Sequence, residues 1–362
     1  MVKDIIPAVD KEALEAELSP DRLVRRYKGL EVYIVTAHNA PHVMDEIGRI
    51  REIEFRKEGG GTAQEKDVDH YDTGDIPYKQ IVAWDGQERE MVAMYRYILC
   101  RDAVITPDDI KLATYRLFHF SDRFKRQVLP QTIELGRSVV NRSAKRALYG
   151  LYVIWCGLAA LVCEYPDIGY FFGKTTLYDT YNVEARDTLL YFMELYFSNG
   201  SSSQASPLSG PLLRRARDGK GPGGAGRSAE AAGGNDGSRA EGRGAVNDPG
   251  VAETPLVTPR EDLRYKPSTD RSKLRRLFGG KNYKKDYAAL LAKLASVGES
   301  MPPIINSYLK LTSTIKCFGT AWNPYFGNVM ETALLLTIRD IRRIYRRKFI
   351  DTYKSINPTV FA

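Results

Sequence analysis

The sequence predicts an α/β (α+β) fold, a mixed sheet flanked by helices and interrupted by one long insertion. Hairpin strands alternate with amphipathic helices over residues 30–197, and a second group of helices and strands follows residue 264. The stretch between them is rich in Gly, Ser, Pro and Arg. With 362 residues and 43% apolar side chains, the chain can bury a sizeable core.

The individual elements follow from apolar spacing, β-branched content and turn residues. An acidic loop is expected at 65–75, and Asp85-Gly86 marks a hairpin turn. The expected helices are charged turns within 10–28, then 41–57, 121–127, 148–162, 182–197, 282–297, 302–311 and a basic tail helix. The expected strands are 30–36, 81–84, 91–99, 111–120, 131–141, 168–176, 315–319 and 333–339.

The insertion divides one domain into two parts. Residues 1–197 are its N-terminal part, and 265–362 are its C-terminal part, whose strand at 333–339 is expected to rejoin the sheet. Residues 198–264 contain no aromatic side chain, so they cannot bury enough apolar surface to offset their ordering entropy. We therefore expect 198–264 to be a disordered linker.

The formal net charge of +8 favours an acidic partner, such as nucleic acid, anionic lipid or an acidic carrier protein. Nucleic acid is not expected, because the basic residues lack interleaved aromatic side chains and no helix-turn-helix or zinc pattern occurs. The four cysteines form no C-x-x-C pair, so neither a metal site nor a disulfide framework is indicated.

The start of the chain is mixed and charged and does not resemble a signal peptide. A cytoplasmic protein is therefore expected. The apolar run 148–163 is shorter than the ~20 residues that span a bilayer, so a buried core helix is expected. Peripheral contact with the inner face of an anionic membrane stays open, because the tail carries Arg342, Arg343, Arg346, Arg347 and Lys348.

One predicted strand carries an unusual pair of charges, Glu134 and Arg137, just before the apolar helix. Residues three apart point to opposite faces of a regular strand. Each side chain must therefore find its own partner, or the strand must bulge near Gly136. A solvated strand end is the simple alternative, and an acyl-transfer site is the functional one.

Several motifs, in order along the chain, resemble those of the acyl-carrier-protein-dependent N-acyltransferases that make lyso-ornithine and lyso-glycine lipids. These enzymes are the hemolysin-like branch of the GNAT acyltransferases, related to the acyl-homoserine-lactone synthases. The matching residues are Arg51, Phe55 and Arg56; Asp67, Asp69 and Asp72; Tyr95 and Arg96; Glu134, Arg137 and Ser138; Trp155; Phe171 and Gly173; Arg186 and Asp187; Tyr308; and Asn323 and Phe326.

The resemblance implies a GNAT-like fold and transfer of a (3-hydroxy) fatty acyl group to the α-amine of glycine or ornithine. It implies that Glu134 takes the amine proton, that Arg137 and Arg96 organise carboxylates, and that Asp69 and Asp67 hold the ammonium or shape the entry loop. Backbone amides around Ser138 and Val140 would bind the oxyanion. Arg51 belongs to the substrate-binding set, and Phe55 and Trp155 would line the acyl chain.

The sequence departs from the family's motifs at two places. The first concerns the acyl donor, and the second is a missing His. The glycine-containing loop that binds the pyrophosphate of coenzyme A is replaced by 141–146, which has no glycine. An acyl-phosphopantetheine on an acyl carrier protein is therefore expected as donor, with no permanently bound cofactor, and Arg142, Lys145 and Arg146 would face the carrier. The family's usual His before the second strand is missing, and its place falls near Tyr78 and Lys79, to which no role is assigned.

Two other functions remain open. His70 and Asp75 have the His-x-x-x-x-Asp spacing of glycerolipid O-acyltransferases, although the companion Pro-Glu-Gly type block is absent. The chain could also be a non-catalytic peripheral membrane or interaction protein that keeps only the fold.

Overall fold

A computed structural model describes residues 2–106, 108–198 and 255–361. Its centre is an eight-stranded sheet in the order β1-β2-β3-β4-β6-β7-β10-β9, beside a two-stranded sheet of β5 and β8. The strands are β1 Leu23–Tyr27, β2 Leu30–Val35, β3 Lys79–Asp85, β4 Glu90–Leu99, β5 Phe118–Phe120, β6 Thr132–Val140, β7 Tyr170–Leu177, β8 Val257–Pro259, β9 Lys316–Asn323 and β10 Val329–Thr337.

Helices cover both faces of the large sheet, which makes the fold the mixed, helix-flanked sheet expected from the sequence. The α-helices are α1 Lys11–Glu17, α2 Pro41–Lys57, α3 His70–Thr73, α4 Gly150–Glu164, α5 Val183–Phe197, α6 Arg271–Leu277, α7 Tyr283–Ser296, α8 Pro303–Leu311 and α9 Arg343–Tyr345. A π-helical turn, Arg346–Ile350, continues α9.

The two faces of the sheet have separate apolar cores. On one face α4 and the C-terminal tail pack over Val32, Ile81 and Tyr95. On the other face α1 and α2 pack over a core that includes Val82 and Met94. The alternation of side chains along each strand explains this division.

Within the large sheet every neighbouring pair is antiparallel except β6 and β7, which are parallel. Their pairing covers only four residues of each strand and ends at Leu135 opposite Gly173. Both strands continue beyond that point, β6 to Val140 and β7 to Leu177, without pairing to each other. The sheet therefore opens into a cleft in its middle.

Most of the expected elements are confirmed, including helix α2, the β3–β4 hairpin and β10, which joins the same sheet beside β7. Three local expectations are wrong. The charged turns within 10–28 end in strand β1, because Leu23 and its neighbours pair with β2. Of the strand expected at 111–120 only β5 forms, since the residues before it make turns. The acidic loop contains helix α3, which the Asp69 carboxylate caps.

Most of the linker expected at 198–264 lies outside the described residues. Ser198 and residues 255–264 are described, and 255–264 are ordered, contrary to that expectation. Strand β8 pairs with β5, and Glu261–Leu263 forms a 3-10 turn. Pairing with a strand far away in the sequence orders this segment, a contact that composition cannot reveal.

Candidate active site

The cleft between β6 and β7 holds a cavity with a volume of about 390 Å³. Its walls combine charged and apolar side chains from both strands, from α2, and from the segments around Pro302 and Phe326. The predicted residues that line it are Phe55, Arg96, Glu134, Arg137 and Ser138. The splayed strands thus bring five of the sequence-predicted site residues to one cavity.

A β-bulge explains how Glu134 and Arg137 reach the same cavity. On β4, Met94 faces Val139 and Arg96 faces Gly136, so Arg137 and Ser138 together oppose Tyr95. Arg137 takes a positive φ of 54°, which is rare for a residue other than glycine. The extra residue turns Arg137 toward the face that carries Glu134. The bulge lies directly after Gly136.

Glu134 is buried on β6, with 1% of its surface exposed. Its Oε1 accepts hydrogen bonds from the Tyr78 hydroxyl at 3.1 Å and from the Thr114 amide at 3.0 Å. Its Oε2 has no hydrogen-bond partner within the described chain. Burial raises the pKa of Glu134, and the nearby Lys174 only partly opposes this shift. One oxygen is thus held by the protein while the other is free for a ligand.

Arg137 contacts a carboxylate and two aromatic rings. Its Nε lies 2.8 Å from Oδ2 of Asp67, although the angle does not suit a hydrogen bond. Its guanidinium carbon lies 4.0 Å from the ring centre of Phe326 and 5.8 Å from that of Phe55. Burial raises the pKa of Asp67, against the attraction of Arg137, Arg51 and Arg96. The ion pair and the rings fix the guanidinium at the rim of the cavity.

Arg96 is held by two carboxylates at the start of α3. Its Nη1 donates to Asp69 at 2.9 Å and to Asp72 at 3.1 Å. Burial opposes ionisation of Asp69, but the charges of Arg96 and Arg137 outweigh it and keep the pKa of Asp69 below its usual value. Asp69 also caps α3 through the amides of Tyr71 and Asp72. Asp69 is therefore an ionised anchor for the arginine.

Arg51 lies behind this pair and is fully buried. It donates to Asp72 at 3.2 Å and to Gln80 at 2.6 Å. Gln80 in turn donates to Asp72 at 2.9 Å. Arg51 does not line the cavity. Its contacts are those of a support that fixes Asp72 and, through Asp72, Arg96.

A second ion pair borders the cavity on the β7 side. Lys174 Nζ lies 3.1 Å from Oε2 of Glu331 and donates to the carbonyl of Ala113 at 3.1 Å. The side chain of Asn323 donates to the same Glu331 oxygen at 3.2 Å. Lys174 and Glu331 line the cavity opposite the β6 residues.

A narrow apolar pocket adjoins the cavity and shares Tyr95, Leu135 and Ile304 with it. Trp155 of α4 lines this pocket, as do residues of the tail. The hydroxyls of Tyr95 and Tyr308 lie 2.6 Å apart at the junction of the two spaces. A polar chamber and an apolar one thus lie side by side and share part of their walls.

Four predicted site residues lie elsewhere. Val140 packs near Gly150 at the start of α4, away from the cavity. Arg142 is ion-paired with Glu54 and Glu58, and Lys145 with Glu88. Arg146 approaches Asp85 at 3.6 Å. The three basic residues expected to face a carrier are therefore already matched by carboxylates of this chain.

The alternative His70 and Asp75 pair is not assembled. Both residues are exposed, and the described structure contains no hydrogen bond or ion pair between them. The His70 ring stacks on Tyr71 instead, with ring centres 3.9 Å apart. Nothing in the geometry therefore supports a His–Asp dyad.

Sequence reasoning missed several residues around the cavity. The most important are Tyr78, Thr114, Lys174 and Glu331. Tyr78 and Lys79 fall near the place where the family has a His, and that position was a usable signal. Thr114, Lys174 and Glu331 carried no motif, and only the packing of distant segments brings them to Glu134 or to each other.

Comparisons with known proteins agree with this architecture. Residues 50–155 match the acetyltransferase (GNAT) domain family. A glycine N(alpha)-acyltransferase of Bacteroides thetaiotaomicron is 36% identical over 366 residues, covering 99% of this chain and 92% of the relative. A glycine N(alpha)-acyltransferase of Phocaeicola vulgatus is 33% identical, covering 99% of this chain and 95% of the relative.

Among solved structures, the AHL synthase LasI aligns with 41% of this chain and 72% of its own, at 17% identity and a TM-score of 0.31. The two relatives match nearly end to end, and the GNAT match spans α3, the β3–β4 hairpin and β6 with Glu134. The chain therefore belongs to the same N-acyltransferase family of the GNAT superfamily as these two relatives, and it is an acyltransferase.

Proposed function

We propose that this enzyme transfers a (3-hydroxy) fatty acyl group from the phosphopantetheine thioester of an acyl carrier protein to the α-amine of glycine, in amino-lipid synthesis. The main support for the proposal is the environment of Glu134 in the wall of the cavity between the splayed strands. Glu134 is a buried carboxylate, and one of its oxygens has no hydrogen-bond partner among the described residues. The names of the two relatives support glycine as acceptor, with ornithine as the second candidate.

A thioester is already activated, so the chemistry needs a neutral amine and not a protein nucleophile. The amine nitrogen attacks the thioester carbon, the C–N bond forms, and the C–S bond breaks. Glu134 accepts the amine proton directly or through a water, and the departing thiolate takes up a proton. Burial raises the pKa of Glu134 toward that of an amine, near ~8, which lowers the free-energy cost of this transfer.

The cavity offers groups for the other charges that develop. Beyond Leu135, the β7 side of β6 has no strand paired to it, so backbone amides near Ser138 can bind the oxyanion. The acceptor's carboxylate is proposed to bind Arg137 at the cavity rim, with Arg96 behind it. Lys174 adds a third cation, on the opposite wall.

The apolar pocket beside the cavity is proposed to hold the acyl chain against Trp155. Each buried methylene contributes ~0.8 kcal/mol, so a long chain supplies binding energy for positioning the thioester. The preference for a carrier-bound donor rests on the missing glycine loop at 141–146. It does not rest on Arg142, Lys145 and Arg146, whose charges are balanced within the chain.

The test is N-acylation by the purified enzyme, measured by mass spectrometry. Acyl carrier protein and coenzyme A thioesters of one fatty acid are each offered with glycine, with ornithine or with lysophospholipid. We expect N-acylglycine from the carrier-bound donor, and unchanged activity in a His70→Ala variant. Acylation of lysophospholipid alone, abolished by His70→Ala, would overturn the proposal. A rate with the coenzyme A thioester equal to that with the carrier would reject the donor assignment only.

A further inference from the structure

The start of α4 and the C-terminal tail form a surface that combines exposed apolar side chains with cations. Leu148 is 94% exposed and Ile344 70%, and Tyr149 and Tyr152 are also exposed. Single exposed apolar residues are ordinary, but a cluster of this kind marks an interaction site. We call these four residues, together with Lys28, Arg343, Arg347 and Lys348, the α4–tail patch.

Ring contacts show that the two segments form one surface. Lys348 Nζ lies 4.1 Å from the ring centre of Tyr152, and Phe349 packs on the same ring at 5.9 Å between centres. On the other side of the start of α4, Lys28 Nζ lies 5.2 Å from the Tyr149 ring. Two of the cations, Lys348 and Lys28, therefore lie against exposed rings at the start of α4.

The charges of this patch are not balanced, in contrast to those of the basic residues at 142–146. Arg343, Arg347, Lys348 and Lys28 are exposed, and none forms an ion pair with a carboxylate of residues 2–106, 108–198 or 255–361. Arg342 and Arg346 donate to backbone carbonyls. Unpaired cations are complementary to anionic lipid headgroups, and the exposed apolar side chains beside them are complementary to the hydrocarbon below the headgroups.

The patch is continuous with the acyl pocket. Tyr345 and Phe349 of the tail form one wall of that pocket, and both rings pack on Trp155 of α4, with ring centres 5.7 Å apart in each case. Two of the three residues between them, Arg347 and Lys348, are exposed to solvent. One side of the segment 345–349 thus lines the pocket proposed for the acyl chain, and its other side belongs to the α4–tail patch.

Helix α4 itself supports an interfacial position. The stretch Ala147–Glu164 is long and apolar enough to cross a membrane by length and composition alone. Much of it is nevertheless buried against the sheet, with Val153, Ile154 and Leu161 in the core. Apart from Cys163 in its last turn, its exposed residues lie at its start, so α4 can touch a bilayer at that end while it remains part of the fold.

We propose that the α4–tail patch docks on the surface of an anionic membrane, at its inner face, and that it lies over the exit of the acyl pocket. The second half of this statement rests on the proposed function, because it assumes that an acyl chain occupies the pocket. An N-acylated amino acid has a charged head and a hydrocarbon chain, so a docked enzyme can release it into the bilayer without exposing the chain to water.

Vesicle cosedimentation of the full chain, without substrates, tests the docking. Vesicles of equal parts phosphatidylglycerol and phosphatidylcholine are compared with vesicles of phosphatidylcholine alone. The variants are Arg347→Glu with Lys348→Glu, and Leu148→Ser with Ile344→Ser. The matched control is Lys284→Glu with Leu291→Ser, a cation and an exposed leucine on α7. Circular dichroism verifies that each variant is folded.

We expect the wild-type chain to bind the anionic vesicles and not the neutral ones. Each cation at an anionic surface contributes about fivefold to partitioning, so losing two should weaken binding by about 25-fold or more, because each substitution also adds a negative charge. The apolar variant should also bind weakly, the α7 control should bind like the wild type, and N-acylation in the absence of vesicles should be unchanged in all three.

Equal binding by the wild type and both patch variants would overturn the proposal, as would no binding by the wild type. Unchanged vesicle binding with a slower reaction from the carrier-bound donor would also overturn it, and would assign the patch to an acidic protein. Because binding is measured without chemistry, failure of the N-acylation assay would leave the docking result intact.

Discussion

The Nε atom of Arg137 lies 2.8 Å from Oδ2 of Asp67, a carboxylate with no exposed surface. The β6 bulge makes this contact possible. Replacing Arg137 by Met should leave Asp67 buried without its nearest counter-charge, at a cost of about 3 kcal/mol in unfolding free energy. Urea unfolding at pH 7, followed by intrinsic fluorescence, measures it.

Adding Asp67→Asn to Arg137→Met should restore most of this stability, because the orphaned charge is then removed as well. The cost should also depend on pH. Burial already raises the pKa of Asp67, and loss of Arg137 raises it further, so the penalty should grow as pH rises above the raised pKa that Asp67 has in the wild-type fold. A cost equally large at pH 3 and pH 7 would contradict the ion-pair explanation.

Glu134→Gln should lower kcat by about 10²–10⁴-fold, since proton acceptance from the amine is lost while the size of the side chain is kept. KM for glycine should change little. Steady-state kinetics with acyl carrier protein as donor measure both constants.

Glu58→Gln is the matched control for this variant, because Glu58 also lines the cavity but is occupied by Arg142. We expect it to stay near the wild-type rate. Full activity of Glu134→Gln would exclude Glu134 as the base.

Lys174→Met should shift the acid limb of the kcat–pH profile to higher pH. The charge of Lys174 lowers the pKa of Glu134, so its removal raises that pKa and the base becomes protonated at a higher pH. The rate falls as pH drops through this value. Stopped assays over a pH series at saturating substrates locate the limb.

Lys316→Met, on the exposed side of β9, provides a lysine control that should leave the profile in place. A shift of the limb to lower pH would show that Lys174 does not act on Glu134 electrostatically.

Gly173→Ala should destabilise the fold by about 1–3 kcal/mol, because an added Cβ would lie 2.6 Å from the carbonyl oxygen of Leu135. This is the last paired position before β6 and β7 separate, so the strain falls on the origin of the cleft. Chemical denaturation measures the loss. At Gly169 an added Cβ meets only Gln131 at 3.6 Å, and Gly169→Ala should be nearly neutral.

Val162→Phe should shift the enzyme toward shorter acyl chains, because Val162 lines the apolar pocket and the larger ring fills it. We expect the ratio of kcat/KM for long over short donors to fall by about tenfold or more, since each excluded methylene contributes ~0.8 kcal/mol. Competition between two donors, read by mass spectrometry, measures the ratio. Val183→Phe, at an exposed site on α5, should leave it unchanged.

The spacing of apolar residues and the turn residues were enough to predict the elements that form from contacts between neighbours in the sequence. Helix α2 has apolar residues at helical spacing, and the turn at Asp85-Gly86 joins two alternating runs, so both could be read directly. Strand β1 and the β5–β8 pair could not be read in this way. Their residues are ordered by partners elsewhere in the chain, and for β5 and β8 the partner lies across the insertion.

Some residues of the candidate site could likewise be found in the sequence, whereas their partners were found only in the structure. Glu134 and Arg137 stood out because charges in apolar surroundings are costly to bury without a use or a partner. Arg96 and Asp69 were found only through the resemblance to the acyltransferase family. Their partners did not stand out. Tyr78 and Thr114 hydrogen-bond to Glu134, although they lie 56 and 20 residues from it in the sequence. Nothing in the sequence of the basic residues at 142–146 indicated the ion pairs that Arg142 and Lys145 form with Glu54, Glu58 and Glu88.

The sequence by itself determined the sheet-and-helix composition, the split domain and the identity of the charged residues on β6, because these follow from spacing and composition. Only the tertiary structure decided that Glu134 and Arg137 share one cavity. In a regular strand their spacing sends them to opposite faces, and the bulge that reverses this depends on how β6 pairs with β4. The cleft that exposes them depends likewise on where β6 and β7 stop pairing.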